Sequence, residues 1–506
     1  MRSLWSLAGT ATLLIVTSAS SHAVADDTNY RSVPIGAHAI GLGGAFAGVA
    51  DDASAAFFNP AGLALGGTHG LAGGLTINAW SRFHFDSAFQ QPDTTADATT
   101  KSSRTVPLFI GAILKLGPTD ALEEKKFAVG ISVVEPNFSR GGTTLKLTSS
   151  ENSVLTDTYS FDVSDRGTWY GLSFASRFGL KHLIGASLYL SVRKLSHSEV
   201  GLSLDGGGPL PSDPELLVGT STVANNQDLR FKAFHFVLRF GWLYRIKPQV
   251  QLGIMLQPPG IPLKQRVDVL SQGFVNDNRD PSAPTTTSAY FFDQKVKANL
   301  PIPAELKVGL QYWPAEKVML AFDAAAYSPV RSGQRAKAVD PSRQGDLFFD
   351  NDTARRAIGN VAIGGDFIVT KKVTIEAGFF TDFSSAINIP ADPTRYYNPQ
   401  INRFGGTLSL ALNIAGVSLA VGSTVLYGKG DATGVLVDTN NLALDYTRTQ
   451  ATSRVVYLHV TGATQAATDL GTKSAAGIEA KRARKRREDE QAGETEPEGA
   501  SDPRLP

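Results

Sequence analysis

The sequence predicts an all-β fold: a transmembrane antiparallel β-barrel of about 14 strands, with a small N-terminal helical hatch inside the barrel. Three observations carry that expectation. Apolar residues recur at every second position through much of the chain. Connections between these segments are alternately short and long, as in barrels with tight periplasmic turns and longer extracellular loops. A Gly/Ala-rich, apolar stretch precedes the first segment. A soluble sandwich would share the alternation, but it has no reason to segregate its loop lengths. The polar faces are also rich in glycine, alanine and serine, which suits a lumen crowded by a plug.

Taken in order, residues 1–25 read as a secretory signal. Arg2 supplies the positive end, residues 4–16 the apolar run, and Ala23-Val24-Ala25 a small-residue cleavage site. No later stretch reaches the roughly 18 consecutive apolar residues of a spanning helix. Residues 26–68 form the expected hatch. Their centre, "GAHAIGLGGAFAGVADDASAAFFNPAGLAL" at 36–65, is too small-sided to build its own core and too apolar for a solvated linker. Gly41, Gly43 and Gly44 allow close backbone approach. Asp51-Asp52 reads as a helix start, and Asn59-Pro60, with Gly62 behind it, as the turn that ends the helix. Phe46, Phe57 and Phe58 are expected against the barrel wall or a ligand, simple anchoring of the hatch being the competing reading. Asp51 and Asp52 would satisfy helix-end amides or pair with a lumen cation such as Arg239, itself a candidate ligand contact.

The barrel is expected over 69–462, with strands at 69–86, 104–116, 127–147, 154–178, 182–204, 228–246, 250–270 and 289–313, then 317–327, 354–370, 373–385, 403–414, 417–427 and 452–462. The fourth and eighth of these could each hide a further break. Tight turns fall near 179–181, 247–248, 314–315, 371–372 and 415–416. Long polar loops are expected at 87–103, 205–225, 271–287, 328–353, 386–402 and 429–450. Placing Phe234, Phe236, Leu238 and Phe240 toward lipid puts His235 and Arg239 in the lumen. The same rule turns Glu305, Lys307, Asp323 and Glu376 inward, sparing about 2–4 kcal/mol per basic group at the midplane and somewhat less per carboxylate. Trp242 and Tyr244 fit an interfacial girdle. The third strand is interrupted by "EPNF", whose Pro136 cannot donate to a ladder and so belongs at a bulge or break.

From 463 to 506 the pattern stops in a basic run followed by an acidic one, which reads as a disordered charged tail. Nothing in the rest suggests catalysis or a bound group. The sequence holds no GxSxG elbow, HExxH helix or P-loop, the eight histidines show no ligand spacing, and cysteine is absent. No catalytic residue, metal or cofactor is therefore expected. The net charge of +1 gives no reason to invoke nucleic acid.

The segment "GLGGAFAGVADDASAAFFNPAG" resembles the N-terminal hatch of the FadL/TodX-type outer-membrane transporters, which take up long-chain fatty acids and other hydrophobic compounds. Gly41 to Gly44 match that family's glycine-rich opening, Asp51-Asp52 its acidic pair, and Asn59-Pro60-Ala61-Gly62 its asparagine–proline turn. The resemblance implies a plugged fourteen-stranded barrel in the bacterial outer membrane. It also implies passive uptake of a hydrophobic small molecule or fatty acid, with a non-transport binding or assembly role as the alternative. Outer-membrane lipids, lipopolysaccharide and the barrel-assembly machinery are the implied partners of a monomer. A kink in the third strand of that family opens the wall sideways. On that resemblance Pro136, Asn137 and Phe138 would line a lateral opening, unless the bulge lies above the membrane. The missing C-terminal aromatic residue departs from the usual barrel pattern.

Overall fold

The computed structural model describes residues 28–464, except 32–34, 66–69, 92–93, 120–124, 150–153, 207–208, 211–212, 218–220, 278–284, 298–299, 331–334, 340–346, 353, 394–396, 415–416 and 438–443. The expected signal and almost all of the charged tail therefore lie outside the described residues. Between 35 and 65 the chain forms two single-turn helices, α1 (His38–Gly41) and α2 (Ala55–Phe58), and a 3-10 turn at Pro60–Ala64. Of the acidic pair, Asp52 acts near the helix starts. Asp52 accepts from the His38 amide at 3.0 Å, where α1 begins, and from the Ser54 amide at 2.7 Å, just ahead of α2. Asn59 then stops α2, its side chain accepting from the Ala61 amide at 3.2 Å, with Pro60 pre-set for the next turn.

The strands follow in chain order. First come β1 (Gly70–Gln91), β2 (Thr94–Thr119), β3 (Lys125–Ser149), β4 (Val154–Phe178) and β5 (His182–Gly206). A small hairpin, β6 (Pro209–Leu210) with β7 (Asp213–Leu217), precedes β8 (Ser221–Lys247). Next are β9 (Val250–Gln257), β10 (Ile261–Asp277), β11 (Thr285–Lys297), β12 (Glu305–Ala315) and β13 (Val318–Tyr327). A second hairpin, β14 (Arg335–Val339) with β15 (Leu347–Asp352), sits in the following connection. The series ends with β16 (Ile358–Thr370), β17 (Val373–Asp382), β18 (Gln400–Ile414), β19 (Val417–Val437) and β20 (Leu444–Thr464).

One sheet contains 16 of these strands, and it closes on itself because β20 pairs with β1 and β8 pairs with β9. The count exceeds the expected fourteen because two expected staves are each broken in two. Pro258-Pro259-Gly260 separates β9 from β10, and β11 ends at Lys297 while the described residues 300–304, with Pro301 and Pro303, precede β12. Proline cannot donate to a ladder, so each run of prolines ends a strand. The hydrogen-bonded circuit uses β9 and β12, while β10 and β11 continue the wall beside the upper half of β8.

Several connections expected as long loops are ladder instead. The β19–β20 pairing runs out to Val437 and Leu444, and β1–β2 pairing out to Gln91 and Thr94. Beyond the hydrocarbon a strand needs no apolar face, so the hydropathy pattern ends where the pairing does not. Within the membrane zone the inside and outside faces fall as the alternation requires. Phe236 and Phe240 are 38% and 45% exposed, whereas His235 and Arg239 are 1% and 2% exposed. Glu305, Lys307, Asp323 and Glu376 are likewise buried, between outward Leu306, Val308, Phe322, Ile375 and Phe379. At the tight-turn end His182 stacks on Tyr244 with centroids 4.9 Å apart and on Trp242 at 6.0 Å, an interfacial aromatic cluster. In intact cells the Lys371-Lys372 turn is expected to resist added protease while the connection at 328–353 is cleaved. The reverse pattern would invert the orientation.

Candidate functional site

Hatch and wall meet backbone to backbone. The cross-strand glycine pairs Gly185–Gly241, Gly253–Gly309 and Gly364–Gly378 lie where the hatch presses on the barrel. A methyl group at Gly253 or Gly309 would overlap the backbone at Ala47 and Gly48, and one at Gly378 the backbone at Leu42 and Gly43. On the hatch side Gly43 and Gly44 take φ of +63° and +80°, which a side chain would strain. Polar wall groups then fasten the plug. Asp323 on β13 accepts from the Phe46 and Ala47 amides at 3.0 and 2.9 Å. Gln251 donates to the Gly48 carbonyl at 2.7 Å, Arg177 to Ala64 at 2.9 Å, and Thr407 to Gly41 at 2.8 Å. Charge-assisted bonds of the Asp323 kind contribute about 1.5–3 kcal/mol each.

Above the plug lies a cavity of about 140 Å³. Its hatch side carries Ile35, Ile40, Phe57 and Phe58, and its wall side Trp169 and the Leu300–Pro303 segment. The polar corner is built by Arg239 of β8 and Lys307 of β12. Arg239 donates to Gln257 at 2.9 Å, to Glu305 at 3.0 Å and to the Phe57 carbonyl, and its guanidinium carbon sits 3.8 Å from the Phe57 ring centre. The Lys307 ammonium is 3.3 Å from Glu305 and 4.9 Å from the Phe58 ring. Tyr327 donates to the same carboxylate at 3.1 Å. Two cations thus share one carboxylate at the margin of an aromatic wall.

Of the expected ligand contacts, the structure brings Phe57, Phe58 and Arg239 together around this cavity. Phe46 is fully buried behind them, its ring edge-on to Phe58 at 5.4 Å, and does not line the space. The proposed pairing of Arg239 with Asp51 or Asp52 does not occur. Arg239 is turned toward Glu305, while both hatch carboxylates reach His38 on α1. Burial by itself lowers the His38 proton affinity, but Asp51 and Asp366 outweigh it and hold its pKa well above the ordinary imidazole value. Burial and then Asp51 push the Asp52 carboxyl up. Trp169 and the Leu300–Pro303 segment were not anticipated as lining. The two prolines of that segment, inside an expected strand, were the available signal.

The third strand is bent where expected. Between the pairs Val134–Trp169 and Asn137–Gly167, the two residues Glu135 and Pro136 face the single residue Thr168. That is a bulge. Glu135 is held by Arg166 at 3.0 Å and Thr168 at 3.2 Å, while Pro136 and Gly167 line the cavity. The β2–β3 ladder ends at Phe109–Val134, just short of the bulge, although both strands continue and β3 stays paired with β4 as far as Ser149. Asn137 and Phe138 continue that β4 ladder; their side chains are outside the described residues.

A closed, lipid-facing barrel plugged by an N-terminal hatch, with a cavity between plug and wall, defines a transmembrane β-barrel fold of the outer-membrane kind. No family model and no curated protein matches the chain. Among solved structures, it is similar to a Pseudomonas aeruginosa FadL homologue, at 15% identity and a TM-score of 0.55, over 88% of this chain and 100% of that one. It is also similar to a TodX mutant described as a monoaromatic hydrocarbon channel, at 14% identity and a TM-score of 0.51, over 81% and 94%. The chain has the FadL/TodX-type fold, as its hatch segment implied.

Proposed function

We propose that this barrel sits in the outer membrane and passively admits hydrophobic small molecules, long-chain fatty acids among them. The observation that carries the reading is the aromatic-walled cavity that runs from Phe57 and Phe58 to the Pro136 bulge, beside which the β2–β3 ladder ends. An apolar solute held there would lie beside a gap in backbone pairing through which it could pass sideways into lipid. Fatty acids are favoured within the hydrophobic class by Arg239 and Lys307, which could face a carboxylate at one end of an apolar pocket. The barrel would act as a monomer among lipids and lipopolysaccharide after delivery by the barrel-assembly machinery. Residues 1–25 would serve as a signal and 465–506 as a solvated tail, the expected tail start at 463 falling two residues inside β20.

The test is uptake of a labelled long-chain fatty acid and a labelled monoaromatic hydrocarbon by cells with and without the protein. Faster accumulation with the protein present is expected for at least one of them. Equal rates for both, with the barrel shown to be at the surface, would favour a binding or assembly role. Mass spectrometry of the gently extracted protein separates these readings further, since a transport cavity should carry co-purified lipid.

A further inference from the structure

We propose that His38, Asp366 and Glu376 form a divalent-metal site that ties the hatch to the barrel wall. His38 belongs to α1, and Asp366 and Glu376 are direct ladder partners on β16 and β17, so their carboxylates project side by side into the lumen. One donor atom from each residue lies within 4.8 Å of the other two, and the His38 Nε2 is 2.9 Å from an Asp366 oxygen. Such a set needs only small side-chain movement to surround one ion.

Three further features separate this group from an ordinary ion pair. First, Asp366 and Glu376 are 7% and 5% exposed, and each keeps one buried carboxylate oxygen with no hydrogen-bond partner. Second, the charges do not balance. Asp51, Asp52, Asp366 and Glu376 crowd one imidazole, while the residues opposite the wall pair, Met319 and Ser409, bring no cation. A divalent cation among these carboxyl oxygens would relieve their crowding. Third, the other imidazole nitrogen, Nδ1, is 2.9 Å from Asp51. A carboxylate behind a histidine fixes the ring with Nε2 toward the metal, the usual support of a ligating histidine. Gly41 contributes by omission, since any side chain there would collide with the Glu376 carboxylate.

One nitrogen and two carboxylate oxygens suit a first-row divalent ion, and Zn²⁺ is the natural probe. With three protein ligands a fourth position stays open to water. The consequence is a removable latch: the ion bridges α1 to β16 and β17, so that its loss weakens the seat of the plug.

The experiment uses the full-length protein in detergent, stripped with a chelator and titrated with Zn²⁺ by calorimetry, with metal content checked by elemental analysis. One tightly bound zinc per chain is expected. Glu376→Gln and His38→Gln should each abolish it, and Asp51→Asn should weaken it by about 10–100-fold. Heat-modifiable gel mobility reports whether each variant still forms the barrel. His38→Gln leaves the wall untouched should Glu376→Gln fail to fold. Absence of stoichiometric zinc in the wild type overturns the site. So does zinc that survives both substitutions, which would point instead to the exposed group of His84, Asp86 and Asp97.

Discussion

Removing residues 36–65 is expected to convert a sealed barrel into an open pore, the largest effect available to any single change. The hatch is packed almost without exposure: Ala39, Leu42, Phe46, Ala50, Ala61 and Leu63 are all fully buried. The wall opposite it is lined by glycines whose missing side chains cannot fill the space once the plug is gone. The ladder does not depend on the hatch, because among the described residues every strand of the sheet except β11 is paired on both sides. The barrel should therefore survive the deletion, with its strands hydrogen-bonded as before. Uptake of small polar antibiotics should rise severalfold, and single-channel conductance in planar bilayers should become large and steady. A milder variant makes the same point. Gly309→Leu would drive a side chain into Gly48 and should unseat the plug without removing it. Unchanged permeability in both would mean that the segment does not seal the barrel.

Replacing Pro136 by valine is expected to close the wall and to cut hydrophobic uptake to near the level of cells lacking the protein. Valine restores the amide that proline lacks, and it favours the extended backbone that β2 would need to continue its ladder beyond Phe109–Val134. The change leaves the charged corner at Arg239 and the plug contacts in place and swaps one apolar lining residue for another of similar size, so surface abundance and most of the cavity binding should persist. That pairing of outcomes, binding kept and flux lost, marks an exit defect rather than a folding defect. Undiminished uptake at matched abundance would remove the Pro136 route. The exit would then lie at the breaks at 258–260 and 300–303, where the Gly260 amide bonds the Ile302 carbonyl at 3.0 Å and the Leu300 amide the Gln265 side chain at 2.7 Å.

Much of the architecture is legible in the sequence because a barrel wall in lipid leaves little freedom. Phe236, Leu306, Phe322 and Phe379 must face outward, and the period of two then sends Arg239, Lys307, Asp323 and Glu376 inward. The hatch is legible for a different reason: Gly43 and Gly44 at positive φ, Asp52 at two amides and Asn59-Pro60 at a turn each mark a local backbone event. The Pro136 bulge belongs to the same kind of signal. What escapes is whatever depends on residues far apart in the chain. Nothing local links His38 to Asp366, 328 residues away, or Arg239 to Glu305, 66 residues away. Hence, of the two partners expected for the hatch carboxylates, the local one holds, Asp52 accepting backbone amides, while the distant one, Arg239, is satisfied by Glu305 on the wall. Strand ends above the membrane escape as well, since polar ladders such as β19–β20 beyond Lys429 carry no hydropathy signature.

Binding of an apolar solute between plug and wall is tested most directly at Trp169, which lines the cavity and whose ring lies 5.8 Å from Phe57. With Trp80→Phe, Trp242→Phe and Trp313→Phe in place, Trp169 becomes the sole tryptophan of residues 26–506. Its fluorescence can then be followed as a brominated long-chain fatty acid is added to the protein in detergent. Saturable quenching that an unbrominated fatty acid reverses is the predicted result. Quenching that only grows in proportion to the probe, unaffected by competitor, would mean that the acid merely partitions into the micelle, and would contradict a solute site above the hatch.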